Sequence, residues 1–316
     1  MCVAEIKHQV SGRFRFEKFK TDDSGHEIEG TRSVAADWFD NLILDQGLNQ
    51  MATLSTYLTW CQVGSGSTPP SVSQTALVSR IAGSNTRPSS DTLSTSSDAP
   101  YYVSVVRRTR FAEGVAAGNL AEVGMGTATS GTTLFSRALI KDAQGNPTTI
   151  TILSDESLDV VYELRYYALP EDVTGNIVAT GNIGGSYDYI IRNASVTNAA
   201  AGGSLGWGLP TAQSQSTSNA NGRGAYTTDI GPQTGVPAGS ASGITEPTAL
   251  PYTSGSFVLD RLITASLAQG NFVTGLRSMV LKLGIGFYQI QFDPPIPKTA
   301  EDVVQLTLRL SWGRRP

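Results

Sequence analysis

The stretch "LIKDAQGNPTTITILSDESLDVVYELRYY", residues 139–167, decides the fold class. It packs Asp142, Asp155, Glu156, Asp159 and Glu163 into one short span, which is raw material for a metal site or an acid/base pair. Yet "LDVVYELRYYAL" puts Leu158, Val160, Tyr162, Leu164 and Tyr166 on one face and Asp159, Val161, Glu163, Arg165 and Tyr167 on the other, the period of two of a β-strand. Upstream, "DAQGNP" is a turn in which Gly145 supplies positive φ, so "LFSRALIK" and "TTITIL" are expected to form a hairpin. "SDES" makes the next reversal. On this reading Asp142 and Asp155 cap backbone N–H groups and Glu163 lies beside Arg165 on an outer face, so nothing makes the carboxylates converge. Asp142, Asp155, Glu156 and Asp159 are then expected to be dispensable for any chemistry and to matter only as turn or surface groups.

The same alternation recurs outward from this stretch. "GRFRFEKF" (12–19) sets Phe14 and Phe16 against Arg13, Arg15 and Glu17, and "YYVSVV" and "TTLFSRALI" are further strands. "ADWFDNLILDQGLNQMA" (36–52) changes to helical spacing, with Trp38/Leu42 and Phe39/Ile43 as i,i+4 pairs and Gly47 ending or interrupting the helix. Towards the C-terminus "SFVLDRLITASL", "GFYQIQF" and "DVVQLTLRLSW" return to strands, joined by an extended "DPPIPKT" corner. In the last of them Val304, Leu306, Leu308, Leu310 and Trp312 are expected to face the core, with Gln305, Thr307 and Arg309 facing out or meeting a neighbour. Between lies a low-complexity Ala/Gly/Ser/Thr/Asn stretch (198–248), expected to be mobile alone because it has too little apolar surface to offset about 1–2 kcal/mol of backbone entropy per ordered residue.

These readings give an all-β fold: a sandwich-like antiparallel core with one short N-terminal helix and a long Gly/Ser/Thr/Ala-rich insertion. Residues 1–172 form the first part of the core, 173–250 the insertion with short strands, and 251–316 the closing strands.

Composition narrows the function. The 316 residues are only 16% charged, with 33 glycines, against roughly a quarter charged in an average domain. A net charge of -4 with no Lys/Arg run argues against nucleic acid; Arg107, Arg108 and Arg110 read as solvated strand arginines. Two cysteines are too few for a disulfide framework, and Cys61 reads as a buried strand residue. No signal-peptide stretch and no run of about 18 apolar residues is present, so membrane insertion is not expected. The only histidines are His8, expected exposed before the first strand, and His26 in a polar turn. The glycine-rich "VGSGSTPP" and "VGMGTATSG" lack phosphate-loop and dinucleotide endings, "TDDSGHEIEG" lacks the full calcium-loop pattern, and the sequon at Asn193 carries no implication of secretion. No catalytic residue, cofactor or metal is expected. Trp207, Arg223 and Tyr226, within the low-complexity stretch, are the candidate interface residues, and Arg223 is its one tryptic target.

Five blocks, "WFDNLILDQGLNQMA", "QVGSGSTPPSVSQTAL", "RTRFAEGVAAGNLAEVGMG", "LFSRALIKDAQGNPTTITILSDESLDVVYELRYY" and "IQFDPPIPKTAEDVVQLTLRLSW", resemble in order the structural proteins of tailed bacteriophages usually called tail-fibre or tail-associated virion proteins. The likeness covers most of residues 12–170 and 284–313. It implies a β-rich, non-enzymatic subunit of the virion, made in the bacterial host cytoplasm and assembled at the tail, baseplate or neck. Its expected partners are copies of itself and other virion proteins, with a host surface receptor left open. A receptor- or glycan-binding tail module, with Trp207 and Trp312 as stacking candidates, and a neck, collar or capsid-decorating subunit are the alternatives. A polysaccharide depolymerase would need a β-helix repeat, which the sequence lacks.

Overall fold

Residues 3–54, 56–96, 98–179, 182–194, 224–283 and 286–316 are described in a computed structural model. The first elements are β1 (Val3–Phe19), β2 (Ser33–Asp40), β3 (Leu42–Ile43), α1 (Asp45–Thr53), β4 (Trp60–Gly64), β5 (Arg80–Ser84) and β6 (Thr92–Thr95). Next come β7 (Tyr102–Phe111), β8 (Gly118–Leu120), β9 (Glu122–Gly126), β10 (Leu134–Leu139), β11 (Ile150–Ile152), β12 (Ser157–Tyr167), β13 (Val173–Val178) and β14 (Ser186–Asn193). The chain closes with β15 (Gly224–Tyr226), β16 (Thr245–Ala249), β17 (Val258–Ala265), β18 (Leu276–Leu283), β19 (Gly286–Ile296) and β20 (Val304–Arg314). Among the described residues the architecture is all-β with one short helix and four sheets. Their orders are β16-β17-β20-β1-β12-β7-β6 with β2 beside β1, β3-β10-β9-β4-β5, β11-β8, and β13-β14-β19-β18-β15.

By contact the chain divides into two compact units: Met1–Gln9, Ser94–Val103 and Tyr166–Gly313 in one, Val10–Leu93, Ser104–Arg165 and Arg314–Pro316 in the other. The first unit's core takes Ile191 from β14, Ile263 from β17, Met279 and Leu281 from β18, Ile290 and Phe292 from β19, and Leu308 and Leu310 from β20. Val304, Leu308, Leu310 and Trp312 are buried as the alternation requires, but Thr307 on the opposite face is buried too, at 7% exposure. Arg309 is bound there by Asp260 of β17 at 2.8 and 2.9 Å and stays part-exposed, and Gln305 is exposed.

In the second unit Phe14 and Phe16 of β1 pack on Phe39, and Phe14 also on Tyr162 of β12. That packing corrects the helix expected over 36–52. Only Asp45–Thr53 is helical; Trp38 and Phe39 lie in β2, where Phe39 pairs with Phe14 and Ala36 with Phe16. An i,i+4 pair also falls on one face of a strand, because four is even, so the spacing could not distinguish the two periods. Gly47 neither ends nor interrupts α1. It sits in its first turns, where a Cβ would overlap the Phe135 carbonyl oxygen, and its bareness lets the helix lie directly on β10.

The turn at 142–147 forms as expected: Gly145 has φ 83°, and Asp142 Oδ1 accepts N–H bonds from Gln144 and Asn146 at 2.9 Å. The arms then separate. β10 pairs with β9 and β3, and β11 pairs with β8 through Ile150↔Leu120.

Candidate functional site

The densest polar constellation among the described residues is built on β1, β7 and β12 of the second unit and on the segment that leads from β1 to β2. Asp159 is fully buried and takes both oxygens' worth of Arg110, Nε at 2.8 Å and Nη2 at 2.9 Å. Its Oδ2 also accepts from Arg32 at 3.1 Å and Arg108 at 3.2 Å. Those two arginines share Glu17 Oε2, at 2.8 and 2.6 Å, and Arg32 continues to Glu27. The guanidinium groups of Arg32 and Arg110 lie over the Phe19 ring at 4.3 and 4.6 Å. Further along, Glu163 is bound by Arg13 and Arg165, Glu156 by Lys18 at 3.0 Å and Asp155 by Lys20 at 2.7 Å.

Three expectations are corrected here. Asp159 is not a turn or surface group but the buried centre of an arginine cluster. Nor are the three arginines of β7 simply solvated: Arg108 and Arg110, though part-exposed, are bound into this cluster, and Arg107, 2% exposed, is held by Asp91 and the Leu58 carbonyl. Likewise Glu163, beside Arg165 as expected, is buried and not on an open face. The alternation correctly placed these residues on one face; it could not show that neighbouring strands would supply countercharges from as far as Arg32.

The electrostatics follow. Burial alone would push Asp159, Glu17 and Glu163 up, but hydrogen bonds and charge from Arg110 and Arg32, from Arg108 and Arg32, and from Arg165 and Arg13 hold them below the ordinary carboxylate range. They stay ionised, and none is poised to donate a proton near neutral pH. Among the described residues no group of three or more His, Cys, Asp or Glu is arranged to hold a metal. In "TDDSGHEIEG" Asp22 Oδ1 instead accepts the N–H groups of Ser24 and His26, both at 2.9 Å.

A second polar centre went unrecognised in the sequence. Glu122 of β9 and Arg137 of β10 are both fully buried and meet at 2.8 Å. Glu122 also accepts the N–H groups of Gly66 (3.1 Å), Val78 (3.1 Å) and Ser79 (2.7 Å). Arg137 reaches Gln74 Oε1 at 2.9 Å and the Thr68 carbonyl at 2.8 Å. The pair therefore pins both ends and the middle of the glycine- and proline-rich segment 64–80, which is otherwise mostly exposed. Its signal in the sequence is a charge inside an apolar run, Arg137 in "LFSRALI".

No family model, curated protein or solved structure matched this chain. The geometry therefore stands by itself. Of the candidate interface residues, Trp207 and Arg223 lie outside the described residues, as does most of the stretch expected to be mobile, while Tyr226 lies on β15 with its ring covered, 2% exposed. Trp312 stacks on Tyr252 at 5.8 Å and is buried. Asn193 is also buried, its amide bonded to the Leu169 N–H and carbonyl at 3.0 and 2.6 Å, so it is closed to glycosylation. Among the described residues no helix is long and apolar enough to cross a membrane.

His8 is a further correction. β1 starts at Val3, so His8 lies inside it, 4% exposed, with Nε2 2.8 Å from Tyr288 Oη. Burial lowers its pKa to about 4, against a smaller opposing effect of a hydrogen bond to the Tyr167 backbone. The folded value lies below the ordinary 6.5, so this contribution is complete above pH 6.5 and is lost as pH falls towards 4, where the unfolded chain takes up a proton that the folded one refuses. Denaturation with urea at pH 7 and pH 5 is expected to show about 2 kcal/mol of loss from this group. His8→Gln should flatten that slope while keeping a hydrogen-bonding partner for Tyr288; an unchanged slope would remove His8 as its origin.

Proposed function

We propose that this chain is a non-enzymatic structural subunit of a tailed-phage particle, assembling in the tail, baseplate or fibre region and supporting host adsorption. The observation that carries most weight beside the five-block resemblance is the charged face. Arg15, Arg32, Arg108 and Arg110 are matched within the chain by Glu17, Glu27, Asp37 and Asp159. A face neutralised from within attracts neither a polyanion nor a cation, and its interlocked side chains are already ordered, which lowers the entropy lost when a protein surface packs against it. The clamped segment 64–80 adds an exposed loop of fixed shape. In this reading the core is sandwich-like where β14, β18 and β19 face β17 and β20 across the first unit's apolar cluster.

Antibody labelling of purified particles, together with a glycan array probed with the isolated protein, tests the reading. Label at the tail end with a silent array is the expected result. Label at the neck or on the capsid would move the subunit to the alternative placement, array binding would make it a glycan-binding module, and absence of the chain from purified particles would sink the proposal.

A further inference from the structure

Lys298 stands in the "DPPIPKT" corner between β19 and β20, a setting in which a lysine ordinarily carries its ammonium to water. Here the side chain is buried, at 2% exposure. Its Nζ donates to two neutral oxygens, Asn271 Oδ1 at 2.6 Å and the Thr299 carbonyl at 3.1 Å, and among the described residues no carboxylate forms an ion pair with it. The stem runs beside Gly270, where a Cβ would come within 3.9 Å of Lys298 Cδ. Burial lowers its pKa against the smaller opposing pull of Asp302, which brings the neutral, nucleophilic amine closer to reach.

The amide that meets this amine is held at both ends. Asn271 Oδ1 takes Nζ, and Asn271 Nδ2 donates to the Leu267 carbonyl at 2.6 Å. Its connection, between β17 and β18, is tied by backbone bonds from Phe272 N to Gly270 O at 3.1 Å and from Gly275 N to Phe272 O at 2.9 Å. On the lysine side Asp302 Oδ2 accepts the Thr299 N–H at 3.1 Å and its hydroxyl at 2.7 Å, holding the residue whose carbonyl steadies Nζ. With Nζ 2.6 Å from Oδ1, the amide carbon, one C=O bond beyond, lies no further than about 3.8 Å from the amine. That is close to the about 3–3.5 Å of a near-attack pair, and fixed groups at such a separation react as if at very high local concentration.

We propose that Lys298 and Asn271 join in an intramolecular isopeptide bond, a covalent staple between the β17–β18 and β19–β20 connections of the first unit. The reaction needs no other reagent. Rotation about Cε–Nζ turns the lone pair of the neutral amine to Asn271 Cγ, the Nζ–Cγ bond forms, and Oδ1 takes up the carbonyl electron pair. The proton that Nζ sheds goes to Nδ2, the carbonyl reforms, the Cγ–Nδ2 bond breaks and ammonia leaves. Asn271 is exposed, so ammonia has an exit to solvent while the amine stays covered. The bond closes a ring from residue 271 to residue 298 around the paired strands β18 and β19. Cys61 is free, and an amide, unlike a disulfide, is not undone by the thiols of a reducing compartment.

The full chain, purified, kept folded at pH 8, then denatured and digested with trypsin, provides the test. Peptides 262–277 and 283–309 should arrive as one linked species, lighter by one ammonia than their sum, with cleavage after Lys298 blocked. Asn271→Ala and Lys298→Met should each abolish it, and Asn271→Ala should release the ordinary peptide 283–298. The linked parent should also unfold about 5–10 °C above Asn271→Ala. A parent digest that yields free 283–298 and 262–277 would overturn the proposal whether or not either variant folds. A link that persists in Asn271→Ala, or equal unfolding temperatures for parent and variant, would overturn it as well. The staple rests on no part of the virion reading, so each can fail while the other stands.

Discussion

Glu122→Ala is expected to destabilise the protein by about 3–5 kcal/mol, the cost of leaving a buried charge without its partner. Arg137 would keep only Gln74 and the Thr68 carbonyl, and the N–H groups of Gly66, Val78 and Ser79 would lose their common acceptor. The segment 64–80 should then open ahead of the rest, read as faster amide exchange at those three residues. In Glu122→Ala/Arg137→Met the stranded cation is gone, so part of the loss should return, but not the part due to three unsatisfied donors at about 1–3 kcal/mol each. The double-mutant cycle separates the two contributions. A single-variant loss below about 1 kcal/mol would mean that segment 64–80 rearranges to solvate the arginine, and the clamp would be no clamp.

The second large effect is at Asp159. Removing it leaves Arg32, Arg108 and Arg110 crowded around Glu17 and Glu27, and Asp159→Ala is expected to cost about 2–4 kcal/mol, discounted from a fully buried pair because the arginines are part-exposed. Asp159→Asn should lose nearly as much, since shape is kept and charge is what the arginines require. Its folded pKa is depressed, so its stabilisation is complete above the ordinary aspartate value and is lost as pH falls through the folded one. High salt should narrow the gap between parent and variant. If Asp159→Asn matched the parent in stability at neutral pH and low salt, the cluster would be ornamental.

Asp142 and Asp159 show what local pattern can and cannot carry. Asp142 acts on N–H groups two and four residues away, so the composition of "DAQGNP" was enough to place it. Asp159 acts on Arg32, Arg108 and Arg110, 127, 51 and 49 residues away, and no local pattern encodes which strands become neighbours. His8 failed for a related reason: its exposure depended on where β1 begins and on Tyr288, 280 residues distant.

The sequence by itself determined the all-β class, the strand over 157–167, the turn at Gly145, the burial of Cys61 and the inward set of Val304, Leu308 and Leu310, because alternation and turn chemistry act over a few residues. Only the tertiary structure decided that Trp38 and Phe39 are strand residues, that β11 leaves β10 for β8, and that Glu122 and Arg137 clamp a loop. Each of these is settled by which segment lies alongside which. That choice is made by burial and hydrogen bonding between distant parts of the chain, where a residue's neighbours in sequence have no vote.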